Sequence, residues 1–228
     1  MGSIIVLETP GVYGLKPWFQ TQLRPLVRIL ERIGVRANQV TVFTCAFSVA
    51  FGLFLTASIE SHRLFLCLPV VQFIRMTLNA SDGMLAREFS QTTALGVYLN
   101  ELADVVSDAF LCLPFAYLPG FSASWMATVI VLALISEMAG VVSVMAGASR
   151  RYDGPMGKSD RALVFGALGL WVGVAGALPP LFLQLFPEIM AVLLALTVMN
   201  RVRQGLRETS CPRRMYGQTP TEKDHATL

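Results

Sequence analysis

Along residues 16–34 the apolar positions fall at steps of three and four: Phe19, Leu23, Leu26, Leu30 and Ile33. Arg24, Arg28 and Arg32 recur every four residues on another face. Residues so spaced share one side of a helix, so the segment is predicted to be a basic amphipathic helix. A helix of this kind lies in the headgroup layer of a membrane, with packing on protein as the alternative. Pro25 is expected in its first turns, where the missing N–H is tolerable, and Gly34 at its C-terminal stop. From residue 40 the pattern becomes near-continuously apolar. It predicts membrane spans at about 40–58, from about 64 past Asn79, and at about 96–118, 125–146, 162–178 and 182–200. A short loop at 60–63, Pro119 with Gly120, and Pro179 with Pro180 mark three of the reversals. The expected fold is therefore an all-α membrane protein, six transmembrane helices preceded by an interfacial amphipathic helix. It divides into an N-terminal segment (1–39), a six-helix domain (40–200) and a polar tail (201–228) that begins as a short helix and frays. The apolar run Ile4 to Leu7 is too short for a signal-peptide core and has neither a basic start nor a small-residue cleavage site.

One stretch breaks the apolar pattern. Residues 79–108 contain Asn79, Asp82, Arg87, Asn100, Glu101, Asp104 and Asp108, with apolar segments on both sides. Ionisable groups at or near the bilayer are costly and usually face a polar cavity, so they mark a functional site by default. Asn79 and Asp82 share a helix face, and so do Asn100, Asp104 and Asp108 at steps of four. Two helices presenting these faces to one another would form an acidic pocket; the plainer alternative is a set of interhelical hydrogen bonds. Arg75 lies on the face of Asn79 and Asp82, where it could pair with Asp82, bind a substrate phosphate or make a purely structural ion pair. Glu137, alone in the middle of its span, either faces a polar cavity or is held neutral by burial.

Composition agrees with a polytopic membrane protein. Hydrophobic residues make up 54% and charged ones 14%, with a mean hydropathy of +0.58. The 228 residues suit one domain. The cysteines at 45, 67, 112 and 211 form no C-x-x-C pair, so neither a metal knuckle nor a disulfide framework is indicated. The only histidines, His62 and His225, fall in an expected loop and the tail, which argues against histidine-based catalysis or zinc ligation. With six spans both ends share one side, and every Lys and Arg except Arg63 and Arg75 falls on it. By the positive-inside rule that side is the cytoplasm.

The text N-A-S-D-G-M-L-A-R, followed after eight residues by G-V-Y-L-N-E-L-A-D, resembles the motif of the CDP-alcohol phosphatidyltransferases. That motif reads D-x2-D-G-x2-A-R, eight or nine residues, then G-x3-D-x3-D. Asp82, Gly83, Ala86, Arg87, Gly96 and Asp104 match it; Asn79 and Asn100 stand where two aspartates belong. The chain thus resembles a divergent bacterial subgroup of that family. A register one turn further on would pair Asp104 with Asp108, but it abandons the glycine spacing. The resemblance implies transfer of a phosphatidyl or substituted phosphate group from a CDP-linked donor, CDP-diacylglycerol, to a hydroxyl, with release of CMP. It implies that Asp82, with Asn79, Asn100 and Asp104, holds Mg²⁺ or Mn²⁺ and that Asp104 is the base; by position Asp108, one turn deeper on the same face, and Glu101, if its helix shifts, could compensate for the lost charge and join the metal site. It implies that Gly83, Ala86, Arg87 and Gly96 surround the CDP. Asn38 and Thr41 resemble the family's Asn and Thr before the first span and would touch the nucleotide; capping by Asn38 is the simpler alternative. Arg150, Arg151, Lys158 and Arg161 resemble the place where members that use phosphorylated acceptors hold the acceptor phosphate; these four could equally serve only the positive-inside rule. A homodimer in the bacterial inner membrane follows by resemblance, in contact with membrane lipids and with no role for nucleic acid.

Oxygen ligands of this kind suit Mg²⁺ or Mn²⁺ rather than zinc. Two aspartates replaced by asparagine leave room for a second reading, a relative that binds CDP-lipid or a partner without turnover. A small transporter is the third, ranked last because nothing resembles an inverted repeat or a broken helix pair.

Overall fold

A computed structural model describes residues 16–210, with side chains from Phe19 onward. The apolar run at Ile4, Cys211 and His225 lie outside the described residues. Among the described residues there are seven α-helices and no strand: α1 (Lys16–Arg32), α2 (Ala37–Ala57), α3 (Leu68–Glu88), α4 (Ala94–Tyr117), α5 (Ala123–Met145), α6 (Lys158–Ala175) and α7 (Pro180–Ser210). A six-residue 3-10 turn, His62–Cys67, leads into α3.

Helix α1 ends as its sequence requires. Gly34 adopts φ +80°, which an L side chain rarely tolerates. Its N–H reaches the Glu31 carbonyl at 2.9 Å, and the Val35 N–H reaches Leu30 at 2.9 Å, the paired bonds of a Schellman motif. Pro25 lies well inside the helix rather than in its first turns, because the helix already begins at Lys16. Leu23 and Val27 are buried against Ala37, Val40, Met84 and Leu85. Leu26, Ile29 and Ile33 are 39%, 55% and 69% exposed. The helix is therefore apolar on two sides, one closed by protein and one left open.

Helices α2 to α7 alternate in direction. The start of α2, the end of α3, the start of α4, the end of α5, the start of α6 and the end of α7 meet at one end. Contacts between Asn38 and Thr93, Thr41 and Asp82, Lys158 and Asp104, and Ser149 and Glu208 fix this arrangement. Gly52 lets α2 and α4 close: a Cβ there would sit 2.2 Å from the Phe110 carbonyl oxygen. The opposite end is an aromatic core, with the Phe115 ring 5.4 Å from Phe65, 5.3 Å from Phe165 and 6.4 Å from Phe121.

Among the described residues, four stretches are long and apolar enough to cross a membrane: α2, His62–Glu88 including α3, α5 and α7. Helices α4 and α6 each carry three charged residues, Glu101, Asp104 and Asp108 in one and Lys158, Asp160 and Arg161 in the other. The last helix runs ten residues past the expected boundary at Asn200, to Ser210. The reason is Arg201, which reads as the start of a polar tail but is 1% exposed and paired inside the bundle.

Candidate functional site

Three polar layers stack along α3 above the aromatic core. The first is a buried charge network. Arg75 donates to Asp108 Oδ1 at 2.8 Å through Nη1, and Arg161 donates to Asp108 Oδ2 at 2.6 Å through Nε. Arg161 also donates to Glu137 Oε1 at 2.9 Å and to the Met156 carbonyl at 3.2 Å. Arg201 lies 3.5 Å from Glu137 Oε2 and donates to the Ser136 carbonyl. Arg75, Arg161 and Arg201 are each 1% exposed. Charges so deeply buried persist only when paired and hydrogen-bonded. Arg75 thus makes an ion pair with Asp108, and Glu137 is paired in a polar layer rather than isolated.

The second layer is the acidic pocket. Asp82 is 4% exposed. Its Oδ2 accepts from the Thr41 hydroxyl at 2.7 Å, and its Oδ1 is buried without a hydrogen-bond partner. A buried carboxylate oxygen left unpaired is expensive, so it marks a place where a ligand is wanted. Across from it, Asp104 Oδ1 accepts from the Asn79 carboxamide at 3.0 Å and pairs with the Lys158 ammonium. Asn100 is half-buried on the same helix, one turn before Asp104.

The third layer closes the mouth. Asn38 does not cap its own helix; the N-cap is Arg36, whose N–H donates to Gln39 Oε1 at 2.9 Å. Asn38 instead donates to Thr93 Oγ1 at 3.3 Å, and Thr93 caps α4 by accepting from the Gly96 N–H at 2.9 Å. Gly96 is required by this junction, since a Cβ would lie 2.6 Å from Asn38 Oδ1. Arg87 is exposed, and its guanidinium folds back over Gly83, 3.3 Å from where a Cβ would be. Ala86 is half-buried beside it on α3.

Of the four basic residues expected to meet an acceptor, two face the pocket. Lys158 reaches Asp104, and Arg150 reaches Glu101 through Nη1 while lying 5.0 Å over the Tyr152 ring. Arg151 turns the other way, 2.7 Å from Asp153 Oδ2 and 2.9 Å from Glu208 Oε2. The hydrogen bonds it donates to Asp153, reinforced by Glu208, raise its guanidinium pKa above the ordinary value. Arg161 has its guanidinium committed to the buried network. Asp108 likewise has both oxygens taken by arginines, so neither is open to an ion. Thr93, Arg201 and Glu208 were missed in the sequence. The Thr93 cap on Gly96 is local, but its bond to Asn38 spans 55 residues, Arg201 pairs with residues 48 to 65 away and Glu208 with residues 57 and 59 away, and no local pattern reports those pairings.

Among the described residues, no group of three or more His, Cys, Asp or Glu is placed to hold a metal. By type, the Asp82 carboxylate and the carboxamides of Asn79 and Asn100 offer hard oxygens, the donors that suit Mg²⁺ or Mn²⁺.

The family model described as CDP-alcohol phosphatidyltransferase matches residues 35–202. The chain is 44% identical over 198 residues to the inner membrane protein YnbA of Escherichia coli (strain K12), covering 86% of this chain and 96% of that one. It is 30% identical over 192 residues to an uncharacterised protein of Aquifex aeolicus (strain VF5), covering 82% and 91%. Its fold is similar to crystal structures of Mycobacterium tuberculosis phosphatidylinositol phosphate synthase (PgsA1). One, with CDP-DAG bound, gives a TM-score of 0.65 at 20% identity, over 85% of this chain and 96% of that one. Another, in complex with manganese and citrate, gives 0.67 at 19% identity, over 87% and 97%.

Proposed function

The chain belongs to the CDP-alcohol phosphatidyltransferase family, and from that premise we propose that it transfers a phosphatidyl group from CDP-diacylglycerol to a hydroxyl acceptor. The observation that carries this reading is the convergence of Asp82 and Asp104, from the two halves of the family motif, on one pocket bordered by Arg150 and Lys158. The protein sits in the bacterial inner membrane as six spans, α2 to α7, with α1 at the interface and the pocket on the cytoplasmic side. A homodimer is part of the same reading. The YnbA name supports the location, and the abundance of Lys and Arg at the pocket end supports the orientation.

Asp82, with the carboxamide oxygens of Asn79 and Asn100, would hold Mg²⁺ or Mn²⁺, and the manganese complex of the structural neighbour supports that choice. When bound, the ion offsets diphosphate charge and the charge that develops on the transferred phosphoryl group. Arg87 adds a guanidinium fork for phosphate oxygens, and Gly83, Ala86 and Gly96 keep the wall of the CDP site low. Thr41 and Asn38 act one step back, orienting Asp82 and fixing the α2–α4 junction. The acceptor hydroxyl attacks the phosphatidyl phosphorus, its bond to the CMP oxygen breaks, and Asp104 takes the hydroxyl proton. Asp104 Oδ1 is already held by Asn79 and Lys158, so the proton goes to Oδ2. Arg150 and Lys158 favour an anionic, phosphorylated alcohol as acceptor. Arg151 and Arg161 support the loop and the bundle rather than the substrate.

The test is CMP release from CDP-diacylglycerol, with Mg²⁺ or Mn²⁺, against polyols, amino alcohols and their phosphates. Release with one acceptor, abolished in Asp104→Asn with an unchanged melting temperature, establishes the reading. The asparagines at 79 and 100 and the lysine on Asp104 favour one alternative, a member that binds CDP-lipid without turnover. Donor binding with no CMP from any acceptor would select it.

A further inference from the structure

The two halves of the pocket are chemically different, and the difference traces to Asn79 and Lys158. At Asp82, Oδ1 is buried and has no partner. At Asp104, Oδ1 receives two N–H donors: the Asn79 carboxamide at 3.0 Å and the Lys158 ammonium. An aspartate at position 79 would repel Asp104; the carboxamide nitrogen donates to it instead. The ammonium is not a loose surface charge that happens to touch. Lys158 is the first residue of α6, and that helix start is pinned on both sides. Ahead of it, Met156 N–H donates to Thr197 Oγ1 at 3.0 Å. Behind it, Arg161 is locked to Asp108 and Glu137. The Lys158 and Asp104 side chains are 28% and 16% exposed, so the pair is only lightly screened.

We infer that Lys158 is the resident cation at Asp104, so that the pocket takes a single divalent ion, at Asp82. This rests on the metal-binding part of the proposed function and deepens it. Charge supports it: of the two carboxylates that the pocket supplies, Asp104 is already paired with the Lys158 ammonium, which leaves Asp82 for a divalent ion. A second divalent ion would have to displace both donors from Asp104 Oδ1 and sit beside an ammonium, where like charges repel. Lys158 thereby becomes a positioning residue for Asp104 as well as a positive charge beside the acceptor.

The experiment is titration of the purified full-length protein in detergent with Mn²⁺, in the presence of CDP, read as loss of the free Mn²⁺ electron paramagnetic resonance signal. Wild type should bind one Mn²⁺ per chain and Asp82→Asn none. Asn79→Asp combined with Lys158→Met, checked for folding by its melting curve, should bind two, while Lys158→Arg should stay at one. Two ions or none in wild type, an ion retained in Asp82→Asn, or a folded double variant that stays at one would overturn the inference. CMP release assayed on the same preparations separates the two ideas. One ion without CMP release keeps this inference and defeats the transferase reading; release with two ions bound does the reverse.

Discussion

The Thr41 hydroxyl donates to Asp82 Oδ2 at 2.7 Å, from α2 to α3, while the other carboxylate oxygen is buried without a hydrogen-bond partner. Groups that orient a metal ligand commonly matter by 10–100-fold when removed. Thr41→Val should therefore weaken Mn²⁺ binding and CMP release by about 10–100-fold. Thr41→Ser should retain most of both, and neither variant should shift the melting temperature as far as a core substitution does. An unweakened Thr41→Val would show that Asp82 needs no orienting partner.

Asp108 is expected to matter for folding rather than for chemistry. Removing it leaves Arg75, 1% exposed, without a carboxylate partner, and leaves Arg161, also 1% exposed, with Glu137 as its one carboxylate. Breaking a buried pair from one side costs about 3–5 kcal/mol. Asp108→Ala should lose about that much stability in thermal or denaturant unfolding in detergent. Mn²⁺ affinity of whatever fraction stays folded should be unchanged; a folded variant with weakened Mn²⁺ binding would restore Asp108 to the metal site.

Gly96 and Asn38 form a pair that a double-mutant cycle can isolate. A methyl group at position 96 meets Asn38 Oδ1 at 2.6 Å. Overpacking of this kind costs about 1–3 kcal/mol, so Gly96→Ala should be destabilised by that order. Asn38→Ala removes the nearer obstacle and leaves Thr93 Oγ1 at 3.0 Å, and the double variant should be more stable than the sum of the single effects by more than about 0.5 kcal/mol. Additive effects would mean that the junction relaxes by another route.

Arg150 and Arg151 are neighbours in sequence with opposite orientations. Arg150 faces Glu101 across the pocket mouth, whereas Arg151 is tied to Asp153 and Glu208. Arg150→Ala should raise KM for an anionic acceptor by about tenfold or more, the effect of losing one charge-assisted hydrogen bond. Arg151→Ala should leave that KM close to wild type and instead lower the melting temperature. Equal effects on KM would contradict the division of labour between them.

Much of the architecture is legible in the chain because its physical causes are local. Near-continuous apolar runs predict helices α2 to α7, steps of three and four predict α1, and Gly34 ends it with the positive φ that only glycine adopts easily. The motif residues likewise carry their spacing with them: Asn79 and Asp82 share one helix face and Asn100 and Asp104 another, so a shared pocket follows once two helices meet. The sequence leaves Arg75 three alternatives, Asp82, a substrate phosphate or a structural ion pair, and only packing brings it to Asp108, 33 residues away.

What the sequence by itself determined, then, is which residues lie on which helix face, and that these faces are too polar for lipid. Only the tertiary structure decided which charge meets which. Asp104 and Asp108 differ by a single turn of one helix, yet one faces Asn79 and Lys158 while the other is closed off between Arg75 and Arg161. Arg150, Arg151 and Arg161 carry the same guanidinium to three different fates. The physical reason is the range of the forces. Periodicity and turn chemistry act within a few residues, whereas the pairing of buried charges is settled by desolvation across helices whose contacts are distant in the chain.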